Sequence, residues 1–237
     1  MNKKYVLIFL FALDAVLLIS RMIRQNPQIC LTASEKTLQS CDTKQIAEEN
    51  KDDIKKIALT FDDGPHPKYT EQLLDGLKSR GVKATFFVTG EHASLHPDVI
   101  ERMSEEGHLI GNHTYSHMQL RTGNREQFKE ELIKTNQVIR EITGEDVLYV
   151  RPPYGTWDKS FESELNMFPV LWTIDPLDWC SDNADRVADK VVKKAGENDI
   201  ILMHDYYESS VTAALEVVDE LQKEGYTFVT VEEILFD

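Results

Sequence analysis

Short apolar runs alternate with amphipathic segments from residue 55 to the end of the chain. The apolar runs predict strands at residues 56–61, 84–88, 108–111, 147–150, 169–174, 199–204 and 226–230. Apolar side chains at helical spacing predict helices at residues 69–80, 97–106, 185–195 and 211–224, with a longer helix that Asn124 caps and Gly144 ends. Strands and helices in this order are typical of repeated βα units.

This order of elements predicts the α/β class. Apolar strands joined by helices indicate a parallel sheet that helices cover on the outside. Six or seven such units in about 180 residues fit a deformed or incomplete (β/α) barrel of about seven strands, and a doubly wound open sheet is the alternative. In both folds the functional side chains gather at the carboxyl ends of the strands.

The first 24 residues form a different kind of segment. Basic residues flank an apolar run at residues 5–19, which predicts a signal peptide or a signal anchor. The run is shorter than the roughly 20 residues of a membrane span, and it contains Asp14. We see no clear cleavage site, which favours an uncleaved anchor over a cleaved signal. Residues 25–54 are polar and aperiodic and are predicted to be a linker to a domain at residues 55–237.

Charge and cysteine content limit the partners and the compartment. The formal net charge is −15, which argues against nucleic acid as a partner because phosphate binding needs a basic face. Cys30 and Cys41 are expected either to pair with each other outside the cell or to stay free. Cys180 is the odd one out, and the chain has no pair of cysteines at metal-binding spacing.

Polar side chains with chemical potential follow five of the predicted strands. The carboxyl ends of parallel strands meet at one edge of a barrel, so we expect these side chains to lie close together. They are Asp62 and Asp63 after the first strand, His113 and His117 after the third, Arg151 after the fourth, Asp175, Asp178 and Trp179 after the fifth, and His204 and Asp205 at the end of the sixth.

His113 and His117 are candidate metal ligands. Their spacing of four places two imidazoles on one side of a helical turn, within reach of one cation. Two histidines and a carboxylate leave coordination positions open, as a metal that activates water requires. Non-haem iron oxygenases use the same ligand set, but the βα pattern argues against them.

Asp62 and Asp63 diverge on an extended chain, so one can bind the metal while the other acts as a base. A solvated acidic turn is the alternative for this pair.

His204 and Arg151 are candidates for acid–base chemistry. Asp178, at the end of the neighbouring strand, would hold one ring nitrogen of His204, raise its pKa and make it a general acid. Arg151 is a fixed cation that would orient Asp62. The alternatives are a hydrogen-bonded core histidine for His204 and a surface salt bridge for Arg151.

Five segments of the chain resemble, in order, the motifs of the polysaccharide deacetylases of carbohydrate esterase family 4, which contain a NodB-homology domain. The segments are TFDDGP, HTYSH, RPPYG, DPLDW and ILMH. The resemblance covers roughly residues 55–235 and does not extend to residues 1–54. It implies these roles: Asp62 as the catalytic base, Arg151 as the residue that positions it, Asp63, His113 and His117 as metal ligands, His204 as the general acid tuned by Asp178, the Tyr154 backbone N–H as the oxyanion donor, and Trp179 and Leu202 as apolar walls around the acetyl methyl.

The same resemblance implies the function. It predicts metal-dependent removal of N-acetyl groups from an aminosugar polymer such as peptidoglycan, chitin oligosaccharide or poly-N-acetylglucosamine, with release of acetate. Zinc is the expected metal, and cobalt, nickel or iron would also suit the ligands. An O-acetyl esterase acting on a glycan such as xylan and a non-catalytic wall-glycan-binding domain are the alternatives. The N-terminal segment favours a cell-envelope polymer and a domain outside the cytoplasm, either membrane-anchored or secreted.

Overall fold

A computed structural model of the protein describes residues 54–236. The N-terminal segment, nearly all of the predicted linker, and Cys30 and Cys41 lie outside these residues. Cys180 is a free and exposed cysteine. Within the described part of the chain, no helix combines the length and the apolar character needed to span a membrane.

The described residues contain one sheet of seven strands, and every pairing in it is parallel. The strands are β1 (Lys55–Asp62), β2 (Thr85–Val88), β3 (Leu109–Asn112), β4 (Tyr149–Val150), β5 (Phe168–Pro169), β6 (Ile200–His204) and β7 (Tyr226–Val229). The strand order is β5-β4-β3-β2-β1-β6, and β7 also pairs with β1. β7 pairs with the first half of β1 and β2 with the second half, so β1 lies at the centre of the sheet.

The segment after β5 closes the curled sheet. The prediction of one strand at residues 169–174 is wrong in extent, because only Phe168–Pro169 pair with β4. The chain then crosses to β6, where Ile174 accepts a hydrogen bond from the Leu202 N–H (2.9 Å) and donates one to the Ile200 carbonyl (3.2 Å). The sheet is therefore a deformed (β/α) barrel, as predicted, with its seam between β5 and β6.

Helices cover the outside of the sheet. The helices are α1 (Tyr69–Ser79), α2 (Gly90–Leu95), α3 (Pro97–Glu105), α4 (Arg125–Thr143), α5 (Ser160–Leu165), α6 (Ala184–Val192), α7 (Glu208–Lys223) and α8 (Val231–Phe236). The five predicted helices are present within a few residues of their expected ends, and the three short helices α2, α5 and α8 are additional. These three bury few side chains, such as Phe161 in α5 and Val231 in α8, which is too little for a periodic signal.

Alternation along β1 explains where its last residue points. Ile57, Leu59 and Phe61 are fully or almost fully buried and pack in the cluster that the helices share. Ala58 packs instead in a second cluster with residues of β2, β4 and β6. Because successive side chains of a strand point to opposite faces, Asp62 lies on the same face as Ala58, inside the barrel.

Candidate active site

The loops at the carboxyl ends of the strands contain an unusual backbone conformation. Seven non-glycine residues among those described have a positive φ, and two of them are asparagines, which tolerate it. The other five lie in these loops, with φ between 56° and 74°. Each such residue costs roughly 1–3 kcal/mol and persists only where its surroundings hold it. They are Asp63, Thr114, His117, Tyr154 and Leu177.

Asp62 is paired with Arg151 at the end of β1. Its Oδ1 accepts a hydrogen bond of 2.9 Å from Nη1 of Arg151, which is fully buried. The guanidinium also donates to the Thr60 hydroxyl (2.6 Å) and to the carbonyls of Val170 (3.1 Å) and Leu171 (3.2 Å). A buried guanidinium fixed at four points balances the charge of Asp62 and sets its orientation.

Asp63, His113 and His117 form the candidate metal centre. One oxygen or nitrogen from each lies within 4.8 Å of the others. Asp63 Oδ1 is 3.4 Å from Nε2 of both histidines. His113 Nδ1 lies 2.6 Å from the Arg151 carbonyl oxygen, which can only accept, so Nδ1 is the donor and the lone pair of Nε2 faces Asp63.

These three residues fit a divalent cation of the zinc type. Asp63 Oδ1 is buried and has no hydrogen-bond partner, although two imidazole nitrogens face it. Two histidines and one carboxylate are a ligand set of catalytic zinc sites that keep a position open. A cation placed among them would satisfy the buried oxygen.

The charges in the cluster agree with this assignment. Burial would raise the pKa of Asp63, but the neighbouring His113, with His117 and His204 nearby, lowers it to about 2. Burial and the neighbouring His113 lower the pKa of His117, against the pull of Asp63. An ionised carboxylate and a neutral imidazole are the forms that bind a metal.

His204 lies on the opposite side of Asp63 and is held by Asp178. The two oxygens of Asp178 accept hydrogen bonds of 2.8 Å from the backbone N–H and from Nδ1 of His204. Burial opposes the charged ring, but the hydrogen bond and charge of Asp178, with Asp62 and Asp63, raise the pKa of His204 to about 9. The imidazole can therefore carry a proton near neutral pH.

A pocket of about 360 Å³ opens over these groups. Tyr154 and Trp179 are 67% and 55% exposed and form its rim, whereas Leu202 is 6% exposed and lies deeper. The acidic lining residues are all aspartates, and the lining contains no lysine or arginine. The lining comprises Asp62, Asp63, His113, His117, Pro152, Tyr154, Trp172, Asp175, Trp179, Leu202, His204 and Tyr207.

The structure brings all ten predicted site residues to one edge of the barrel, with Arg151 and Asp178 buried behind the pocket. The predicted helical turn at His113 and His117 is wrong, because this segment is an irregular loop in which His117 has a left-handed conformation. Sequence reasoning gave no role to Thr60, Trp172 or Tyr207. An alternating strand pattern would have placed Thr60 beside Asp62, but Trp172 and Tyr207 carry no comparable signal.

A family model for polysaccharide deacetylases matches residues 49–170. The chain belongs to the polysaccharide deacetylase family. The family predicted from the five motifs is thereby confirmed. Family members of known structure share the architecture: the chain superposes on peptidoglycan deacetylase PdaC from Bacillus subtilis with a TM-score of 0.74 at 39% identity, over 77% of this chain and 91% of that one.

Relatives in the polysaccharide deacetylase family differ in the sugar their names specify. The peptidoglycan-N-acetylmuramic acid deacetylase PdaC is 40% identical over 180 residues, 76% of this chain and 38% of PdaC. A peptidoglycan-N-acetylglucosamine deacetylase from Bacillus cereus is 37% identical over 182 residues, 74% of this chain and 66% of that protein. The chain therefore spans well under half of PdaC and about two thirds of the second relative.

One structural relative in the family is a pseudoenzyme. BA3943 from Bacillus anthracis is described as a pseudoenzyme of carbohydrate esterase family 4, and it superposes with a TM-score of 0.72 at 27% identity, over 77% of this chain and 66% of that one. The fold alone therefore does not decide whether a member is active.

Proposed function

We propose that this protein removes N-acetyl groups from an aminosugar glycan of the cell envelope, with peptidoglycan as the favoured polymer. The observation that supports this most strongly is the arrangement across one pocket. The Asp62–Arg151 pair and the His204–Asp178 pair flank the cluster of Asp63, His113 and His117.

The residues of the chain supply each proton transfer. A divalent cation, with zinc as the default and cobalt, nickel or iron as substitutes, would polarise the acetyl carbonyl and acidify a water molecule when bound at the cluster. Asp62 accepts a proton from the attacking water, since Arg151 fixes its carboxylate beside the cluster. The backbone N–H of Tyr154 donates to the developing oxyanion, a type of interaction worth roughly 3–4 kcal/mol.

His204 completes the reaction on the opposite side. Its ring holds a proton that Asp178 stabilises, and it gives this proton to the departing amine so that the carbon–nitrogen bond breaks and acetate leaves. Trp179 and Leu202 supply the apolar surface for the acetyl methyl. Water is thus added across the amide, and the products are the free amine and acetate.

Replacing the base tests this function directly. Asp62→Asn keeps the shape of the side chain and its contact with Arg151 but removes the proton acceptor. We expect acetate release to fall to background while the metal-to-protein ratio, measured by mass spectrometry, stays at the wild-type value. Substantial turnover in this variant would overturn the role of Asp62.

The charges in the pocket favour a neutral sugar. Its lining contains Asp62, Asp63 and Asp175 and no lysine or arginine that would bind an additional carboxylate. We therefore expect N-acetylglucosamine to be preferred over N-acetylmuramic acid whose lactyl carboxylate is free. Acetate release from chitin oligomers, intact peptidoglycan and peptide-free peptidoglycan would show the order, and a higher kcat/KM on the peptide-free muramic acid would contradict it.

Two other functions are separated by the same assay. An O-acetyl esterase would release acetate faster from acetylated xylan than from chitin oligomers. A wall-binding domain without activity would bind a polymer and release no acetate. Asp62, His204 and the cluster of Asp63, His113 and His117 share one pocket, which argues for activity.

We also propose that the domain works outside the cytoplasm. The basic and apolar segment at residues 1–24 supports export as a signal anchor or a cleaved signal peptide. Fractionation of cells that produce the full chain, with N-terminal sequencing of the product, would distinguish a membrane-anchored from a secreted form.

A further inference from the structure

The backbone carbonyl of Asp63 is held by a side chain outside the motifs. His92, on α2, places Nδ1 2.7 Å from this oxygen. A carbonyl oxygen only accepts hydrogen bonds, so Nδ1 carries the proton and donates it. The bond acts on a residue whose left-handed conformation (φ 74°) requires support from its surroundings.

The start of α2 binds the next carbonyl as well. The backbone N–H of Thr89, the residue before α2, donates to the Gly64 carbonyl at 3.1 Å. The Thr89 hydroxyl in turn accepts a hydrogen bond from the His92 backbone N–H at 3.4 Å. Two consecutive carbonyls of the turn that follows β1 are thus fixed by the same short helix.

The His92 ring is itself held from the other side. It stacks on Tyr206, with ring centroids 5.2 Å apart and an interplanar angle of 24°. Tyr206 follows His204 by two residues at the end of β6. His92 therefore lies between the ends of β1 and β6, the two strands that carry Asp63 and His204.

We propose that His92 is a positioning residue for the metal centre. By binding the Asp63 carbonyl, it keeps that residue in the left-handed conformation that turns its carboxylate toward His113 and His117. This inference rests on the proposed function only in taking Asp63 as a metal ligand. The expected consequence is a higher metal affinity than the three ligands would reach without the His92 hydrogen bond.

Metal affinity provides a readout that does not depend on turnover. Zn²⁺ would be titrated into metal-free protein in competition with a chromophoric chelator, and the visible spectrum of the Co²⁺ form would report on ligand geometry. For His92→Ala we expect the dissociation constant to rise about 10- to 100-fold, as is usual for residues that orient metal ligands. His92→Asn retains a side-chain N–H donor at a similar distance from the backbone and should recover most of the affinity.

His96→Ala is the matched control, because His96 is a partly buried histidine at the end of the same helix and no contact joins it to Asp63. Its metal affinity should equal that of the wild type.

Wild-type affinity in His92→Ala, or equal losses in the Ala and Asn variants, would overturn the proposal. Thermal unfolding of the metal-free variants separates a lost fold from a lost ligand position. Failure of the proposed function would look different, since the wild type would then bind Zn²⁺ and release no acetate.

Discussion

Asp63 and Asp205 are two carboxylates at the ends of β1 and β6 that resemble each other in hydrogen bonding and differ in pKa. In each, Oδ1 is buried without a hydrogen-bond partner. Each directly follows a residue that faces the pocket, Asp62 at the end of β1 and His204 at the end of β6. Yet the pKa of Asp63 is lowered to about 2 whereas that of Asp205 is raised to about 7.

Their neighbours explain the difference. Burial acts on both groups, but three histidines outweigh it at Asp63. At Asp205 burial dominates, and the hydrogen bond from the Thr70 hydroxyl offsets only part of it. An unpaired buried oxygen is therefore not by itself the mark of a metal ligand. The imidazoles around Asp63 distinguish a site for a cation from a site for a neutral acid.

The largest difference is expected when each of these two carboxyl groups is replaced in turn by an amide. Asp63→Asn should lose bound metal and reduce acetate release to background, beyond the roughly 10²- to 10⁴-fold loss of a single acid–base group. Asp205→Asn should keep both the bound metal and acetate release, because an amide resembles the protonated acid. Metal analysis and acetate assays on both variants test the pair. Metal loss in Asp205→Asn would remove the distinction between them.

A second comparison concerns which carboxylate tunes His204. Asp178 binds its ring, whereas Asp205 is only adjacent in the chain. Asp178→Asn should lower kcat by about 10²- to 10⁴-fold with metal still bound, since the ring loses the charge that stabilises its proton. Measured kcat in Asp205→Asn should stay within a few-fold of the wild type. Similar losses in both variants would show that Asp205 also acts on the ring.

The raised pKa of Asp205 predicts a pH dependence of stability. The pKa of Asp205 is raised from its ordinary value of 3.8 to about 7, so the folded state binds the proton more tightly than the unfolded chain does. The stabilisation that this bound proton contributes is thus fully present below pH 3.8 and is lost as pH rises through 7. Over that range the free energy of unfolding falls by at most about 1.4 kcal/mol per pH unit. Urea unfolding of the metal-free proteins should show that the stability of Asp205→Asn increases relative to that of the wild type as pH rises. A difference independent of pH would contradict the shift.

The smallest effect tests the space beside Asp205. A Cβ added at Gly64 would lie 2.3 Å from both oxygens of Asp205, so this carboxylate fills the position that a larger residue would need. Gly64→Ala should destabilise the fold by roughly 1–3 kcal/mol in urea unfolding. Combining Gly64→Ala with Asp205→Ala should relieve part of that destabilisation. If the effects of the two changes on the free energy of unfolding were strictly additive, the added methyl group and the Asp205 carboxylate would not be in contact.

The sequence predicts most of the barrel and the inward strand ends. Continuous apolar runs reveal β1 and β6, and the parallel arrangement then places Asp62 near His204 although 142 positions separate them. Long amphipathic segments reveal α4 and α7. These parts follow from local patterns and one rule of topology.

Other parts depend on contacts that no local pattern encodes. The apolar stretch at residues 169–174 looks like a strand, but the carbonyls of Val170 and Leu171 bind Arg151 instead of a neighbouring strand. The loop that contains His117 owes its shape to left-handed residues. His92 escapes notice because α2 has six residues and buries only Gly90 and Ala93.

Arg151 links the orientation of Asp62, the proposed base, to the integrity of the whole barrel. Its guanidinium joins Asp62 and Thr60 of β1 to the carbonyls of the segment that closes the seam. A molecule whose seam is open loses these bonds and leaves Asp62 without its counter-ion and its orientation. We therefore expect the proposed deacetylation to require a closed seam, because opening the seam would remove the groups that hold Asp62 in place.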